Sequence, residues 1–328
     1  MKRLLPAVLA SLALLTMAAC GSSDSDGGSA ETAAFSFTDD LGTKIELDAL
    51  PERLVVQSSM AAALTDLGLG DKIVGVFGPL RADGDAAQVA GLDLDSVEDV
   101  TGGGDYGDID TEKVVELEPD LIITSQYLSP SLWYMDDASA TELEKLAPIL
   151  VVDFDGKTLP ELLDGTERAA EALGADLDGV DVTASHDAFD AAADRVKQIG
   201  TDLGDRTILA GSYSPDVFYV SNPKISPDLA YWVDVLGLPI TIPDNPDEGG
   251  YFESLSWEKA DKYPGDIFLY DDRIGEAGLT ALKGEKVFAT LDAATNDAFV
   301  PWTSVAPPSY QAYADLMDRL ADDLETYL

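Results

Sequence analysis

The order in which short apolar segments recur constrains this chain more than any single motif does. From Arg53 it reads RLVVQSSMAAALTDLGLGDKIVGVFG, which predicts a strand, a helix closing at Leu67-Gly68, and a second strand from Ile73 to Phe77. DIDTEKVVELEPDLIIT then supplies Asp110 as a helix cap, a short helix stopped near Pro119, and the strand Leu121 to Thr124. The second half repeats the pattern. TILAGSY predicts a strand, SPDLAYWVDVLGL a helix ending at Leu236-Gly237, and PITIP a strand. SLSWEKADKYPGDIFLY follows with cap Ser256, a short helix stopped near Pro264, and the strand Asp266 to Tyr270. Alternating strands and helices require parallel sheets with helices on both faces. Two such arrays predict an α/β protein of two similar lobes.

Between the arrays, DVTASHDAFDAAADRVKQIGTDLGD is Ala-rich and apolar-periodic from Val182 to Ile199, with Gly200 and Gly204 as stops. It predicts a long helix, read as a rod joining the lobes, with a packing helix inside one large domain as the alternative. The expected organisation is a leader over 1–20, a tether over 21–34, a first lobe over 35–177, a linking helix over 178–202 and a second lobe over 203–328.

The chain opens MKRLLPAVLASLALLTMAAC, two basic residues ahead of an apolar run from Leu4 to Met17 that is short for a membrane span, which needs about 20 apolar residues. Cys20 is the only cysteine in 328 residues, so no disulfide forms within the chain. The segment resembles a bacterial lipoprotein signal, which implies that Cys20 becomes the lipidated first residue of the mature protein. A plain leader with an incidental cysteine is the alternative. Gly21 to Ala34 lacks the apolar residues of a core and suits a flexible tether. Losing Lys2 and Arg3 with the leader takes the formal net charge from −42 to −44, which repels phosphate backbones and excludes nucleic acid as a partner.

TGGGDYGDID, Thr101 to Asp110, matches G-x-G-x-x-G through Gly102, Gly104 and Gly107. A dinucleotide loop follows a strand and opens a helix, with pyrophosphate on the helix N-terminus. Here DLDSVEDV makes a poor buried strand, and Asp105 and Asp108 set negative charge beside the loop without a lysine in it. The glycines instead allow close approach to a bulky ligand, with Tyr106 as a flat contact surface, or form a surface turn.

The runs RLVV…LTDLGLGDKIVGV, GDIDTEKVVELEPDLIIT and YFESLSWEKADKYPGDIFLY together resemble the iron-siderophore (FecB-like) family of ABC-transporter substrate-binding proteins. That resemblance covers nearly all of the chain after the tether. It implies two Rossmann-like lobes with parallel sheets joined by one long helix, the class III architecture, with a ligand cleft between them. It further implies a monomeric non-enzyme without a cofactor, anchored through Cys20 to the outer face of the cytoplasmic membrane and handing cargo to a permease and its ATPase. By position in the family pattern, Arg81 in GVFGPLRADG is similar to an arginine that meets iron-bound hydroxamate oxygens, and Tyr127 to a cleft aromatic. Trp133 and Tyr134 in the same loop, Tyr213, Tyr251, Arg273 and Trp302 in the second lobe fall in strand-end loops, where ligands of such sheets bind. Trp232 and Trp257 fall on helices and are expected to pack. The family's surface glutamates, which dock onto the permease, correspond to Ala62 and Tyr231 here, leaving Asp66 and Asp234 as substitutes.

A multi-histidine metal site is impossible with His186 as the one histidine, expected on the surface of the long helix. No G-x-S-x-G elbow exists. A carboxylate-based glycoside hydrolase is the enzymatic rival, and haem or cobalamin are the rivals within the binding class. Arg81, Arg273 and Lys224 are few bases for an anionic ferric tris-catecholate, so ferric hydroxamates are the favoured cargo.

Overall fold

The computed structural model describes residues 34–81, 85–104 and 106–328. Cys20, the leader and all of the tether but Ala34 lie outside the described residues. A hairpin of β1 (Phe35–Thr38) and β2 (Lys44–Leu47) precedes the first array. That array runs β3 (Leu54–Gln57), α1 (Ser58–Asp66), β4 (Ile73–Phe77), β5 (Glu98–Asp99), α2 (Thr111–Leu117), β6 (Leu121–Gln126), α3 (Asp137–Leu143), β7 (Ile149–Asp153) and α4 (Leu159–Ala172). Its sheet has the order β5-β4-β3-β6-β7 and is parallel throughout. Strands buried on both faces read as continuous apolar runs, which is why LVV and LIIT were legible. Asp110 caps α2 as expected, accepting from the Lys113 amide at 3.2 Å, and Glu118 ends it at φ 44° just before Pro119.

The long helix α5 (Val180–Asp202) continues through Gly200. A Cβ there would lie 3.1 Å from the Gly237 carbonyl, so this glycine serves a close backbone approach and not a stop. Gly204, at φ 62°, is where the chain turns away. Val182, Phe189, Ala192, Val196 and Ile199 bury one face of α5 in the largest apolar cluster, which reaches from β3 and β6 to Trp232 and Met317.

The second array runs β8 (Ile208–Tyr213), β9 (Phe218–Ser221), α6 (Pro227–Asp234), β10 (Phe252–Leu255), β11 (Ile267–Asp271), α7 (Gly275–Gly284), α8 (Asp292–Thr295), β12 (Phe299–Trp302) and α9 (Tyr310–Glu325). Its sheet has the order β10-β9-β8-β11-β12. Parallel pairing holds across β8-β11-β12, while β9 runs antiparallel to both β8 and β10. The strand expected at PITIP reduces to one bridge, Ile240 with Ile208, because β9 occupies the next position in the sheet. The short helix expected after Ser256 is a single 3-10 turn, Trp257–Lys259.

Helix α9 packs along α5, where Arg195 reaches Asp322 at 2.5 Å and Glu325 at 2.9 Å. Ser309, the cap of α9, donates to Asp66 at the end of α1 (2.5 Å), and Tyr310 donates to Asp164 of α4 (2.9 Å). His186 is not a bare surface residue. Its ring stacks on Tyr310 at 3.8 Å, and Nε2 lies 2.7 Å from Glu167. Ala62 is fully buried and Tyr231 packs near Phe189, so neither presents a docking side chain like the family glutamates; Asp234 is exposed, whereas Asp66 is taken up by Ser309 and Gln311. Among the described residues no helix is long and apolar enough to cross a membrane.

Candidate ligand-binding cleft

The loops that leave β6, β11 and β12 meet the start of α6 and the segment before β10 around a cavity of about 360 Å3. This is the carboxyl-end crevice expected of parallel sheets, and its size suits a ligand of several hundred daltons. Tyr127, Leu128 and Trp133 line it from the first lobe; Asp228, Tyr251, Phe252, Arg273, Trp302 and Ser304 line it from the second.

The first-lobe wall is a run of touching aromatics. Tyr127 packs edge-on against Phe154 (5.0 Å between centroids) and tilts against Trp133 (4.8 Å), which meets Tyr134 at 5.2 Å. Tyr106 extends the run to Tyr134 at 4.7 Å, and its hydroxyl accepts from the Tyr134 amide at 3.1 Å. Tyr106 is 59% exposed and, with Tyr134, lines a smaller hollow of about 230 Å3 with Gly78 and the glycine loop. The glycines therefore fold a loop whose aromatic joins the cleft wall. Gly107 takes φ 86°, and a Cβ there would stand 2.6 Å from the Asp136 amide nitrogen, a backbone approach that only glycine allows.

Facing this wall, Arg273 follows β11 in a 3-10 turn. Its Nε lies 2.9 Å and its Nη2 2.6 Å from the two Asp271 oxygens, a forked pairing. The carboxylate is 2% exposed and the arginine side chain 30%. Burial, the largest influence on Arg273, opposes its charge, but Asp271 more than offsets it and holds the guanidinium above its ordinary pKa. The phenols across the cleft are pushed up by burial at Tyr106, Tyr127 and Tyr134, with the Arg273 charge drawing each back in part. Tyr251 is pushed up to about 12 by burial and by Asp155 and Asp153. Its hydroxyl donates across the cleft to the Tyr127 carbonyl at 2.6 Å, tying second lobe to first.

Of the residues expected at the site, Tyr127, Trp133, Tyr251, Arg273 and Trp302 line the cavity, and Tyr106 and Tyr134 adjoin it. Arg81 and Tyr213 are not among its lining residues. The exposed Arg81 turns its Nη2 onto the Leu94 carbonyl at 2.6 Å. Tyr213 tilts against Trp257 at 5.4 Å, whose indole donates to the Pro215 carbonyl at 3.1 Å, so both rings pack within the second lobe. Trp232 is fully buried, as expected of a packing residue.

Asp228 was not anticipated. It lines the cavity at 2% exposure, taking the Trp302 Nε1 proton at Oδ2 (2.6 Å) and the Leu229 amide at Oδ1 (2.8 Å). Burial pushes its pKa up to about 6, with these donors pulling down and Asp271 adding to the rise. Two further polar atoms of the lining residues, Trp133 Nε1 and Ser304 Oγ, are buried without a partner among the described residues. Orphaned buried polar groups are costly and rare, and they suit a site that a ligand's oxygens complete.

The family described as periplasmic binding protein matches residues 55–306. No curated protein matches the chain. Among solved structures, the chain is similar to DesE, a ferric-siderophore receptor protein from Streptomyces coelicolor, at 35% identity and a TM-score of 0.80, covering 89% of this chain and 98% of that one. The petrobactin-binding protein YclQ of Bacillus subtilis shares the fold at 19% identity and a TM-score of 0.70, covering 90% and 99%. FhuD2 of Staphylococcus aureus, solved with bound ferrioxamine B, does so at 18% identity and 0.58, covering 84% and 98%. With two α/β lobes, one long connecting helix and an aromatic cleft between the lobes, this chain belongs to the periplasmic binding protein family, whose members carry ligands and do not transform them.

Proposed function

We propose that this protein captures a ferric siderophore of the hydroxamate type in the cleft and delivers it to an ABC permease, held at the outer face of the cytoplasmic membrane by lipid on Cys20. Arg273 carries the reading: one half-buried guanidinium, paired with its own buried carboxylate, faces a tyrosine and tryptophan wall. Its donors suit the partly negative oxygens around a hydroxamate-bound ferric ion, while the rings cover the organic shell. The likeness to the ferric-siderophore receptor DesE supports the same reading. Iron arrives fully held by its chelator, so the protein supplies no metal ligand and needs no cofactor.

Two observations favour this cargo over its rivals. An axial tyrosine binds haem iron through a free phenol oxygen, whereas the Tyr251 hydroxyl is taken up by the Tyr127 carbonyl and the Tyr106 hydroxyl by the Tyr134 amide. A ferric tris-catecholate is anionic and calls for clustered bases, whereas Arg273 is already paired with Asp271 and the buried carboxylate of Asp228 lines the same cavity. The domain boundaries given above and a monomeric carrier belong to the same proposal.

The test is a tryptophan-fluorescence titration of the protein from Ala34 onward with a ferric trihydroxamate, its iron-free chelator, a ferric tris-catecholate and haem. Saturable one-to-one quenching by the ferric trihydroxamate, lost in Arg273→Met and kept in Arg81→Ala, is expected. Saturation with haem or catecholate alone refutes the ligand class.

A further inference from the structure

We propose that the cleft selects ferric chelates carrying a pendant cationic group, and that Asp228 is the specificity-determining carboxylate that receives it; this rests on the siderophore reading above. The argument begins from the charges in the wall. Arg273 and Asp271 form a forked pair and cancel. Asp228 has no such partner, since no Lys, Arg or His nitrogen lies within 4.0 Å of it among the described residues. Its donors are neutral, an indole and a backbone amide. Both carboxylate oxygens are used, Oδ2 by the indole and Oδ1 by the amide, yet neither neutral donor compensates the negative charge, which is held at 2% exposure where water screens it weakly.

Besides Arg273, the one other charged lining residue is Asp247, which is exposed and accepts from the Ser254 hydroxyl, so Asp228 is the buried carboxylate of a lining that is otherwise apolar or neutral. A cavity whose buried charges sum to one negative disfavours an anionic chelate and favours one whose ferric core is neutral and whose side arm ends in an ammonium. Core and arm then have separate partners. Arg273, Trp133 and Ser304 address the chelate oxygens, and Asp228 addresses the arm. A purely structural role for Asp228, seating Trp302 and opening α6, makes a different prediction, because it affects every ligand alike.

The experiment compares two probes of the same shape: a linear ferric trihydroxamate ending in a primary ammonium, and the same chelate N-acetylated at that amine. At pH 7.5 the wild-type protein is expected to bind the ammonium form roughly tenfold more tightly, a difference of about 1.4 kcal/mol. Asp228→Asn is expected to bring the two within about twofold, chiefly by weakening the ammonium form, since the lost attraction is one buried charge pair. Equal wild-type affinity for both probes overturns the proposal while leaving the siderophore reading intact. So does a variant that weakens both probes equally. Failure of the wild type to bind either probe overturns both. The wild-type ratio alone decides the matter should the variant not fold.

Discussion

Arg273 and Asp271 give the sharpest measure of how the cleft is assembled. Replacing Arg273 with methionine keeps most of the apolar stem and strips the charge. It leaves Asp271, 2% exposed, beside Asp228 and Asp272 with the residue-273 amide as its remaining donor. Breaking a buried ion pair from one side costs about 3–5 kcal/mol, because the orphaned charge stays desolvated. The arginine side chain is 30% exposed, so water reaches that side and the lower end, about 3 kcal/mol, is expected. Asp271→Asn orphans the guanidinium instead, which is better solvated, and about 2 kcal/mol is expected. The double variant removes both charges together and should cost at least about 1.5 kcal/mol less than the sum of the singles. Urea denaturation followed by far-ultraviolet circular dichroism measures all four proteins, with a constant m-value as the check that only stability changed. In thermal scans the Arg273→Met cost corresponds to a Tm drop of roughly 6–12 °C. If the two single costs add to within about 0.5 kcal/mol, as distant sites do, the pair is not the buried unit described here.

Asp272 is pushed up to about 6 by burial, with Thr303 pulling down and Asp271 adding to the rise. Its folded pKa exceeds the unfolded value, so the stability it lends is present below about pH 4 and is lost as pH rises through about 6. Asp272→Asn does not titrate and should gain about 1–2 kcal/mol relative to wild type between pH 4.5 and 7.5; a pH-independent difference in Tm refutes this. Tyr251→Phe removes the hydrogen bond to the Tyr127 carbonyl and is expected to cost about 1 kcal/mol and to raise the ligand off-rate in stopped-flow displacement. Gly107→Ala combines a positive φ with a 2.6 Å approach to the Asp136 amide nitrogen, and a loss of about 2–4 kcal/mol is expected in chemical denaturation.

Local order was legible wherever one residue's neighbours in sequence are also its neighbours in space. The strands of the first sheet, the Asp110 cap and the span of α5 follow from apolar periodicity and turn chemistry. The cleft residues were found because a strand-end loop is named by the strand before it, as with Tyr127 after β6 and Arg273 after β11. Side-chain direction does not follow from that rule. Arg81 follows β4 and Tyr213 ends β8, yet a carbonyl 13 residues on and a ring 44 residues on claim them. Asp228 was hidden for the same reason, since its partner Trp302 lies 74 residues away. The antiparallel β9 and β10 were missed because four-residue strands separated by a 30-residue connection give no periodic signal.

These long-range ties also bear on how the cleft opens. Helix α5 is not a free rod: Arg195 fastens it to α9, and the first turn of α9 is bonded through Ser309 and Tyr310 to α1 and α4 of the first lobe. On the cleft side, the Tyr251 hydroxyl holds the Tyr127 carbonyl. A large opening would break the contacts on one side or the other, each hydrogen bond worth about 1 kcal/mol. The cavity therefore exists before ligand arrives, and binding free energy is not drawn off in assembling it. In such a frame a single surplus charge, or a misplaced arginine partner, is felt directly as affinity, because the walls cannot move far enough to relieve it.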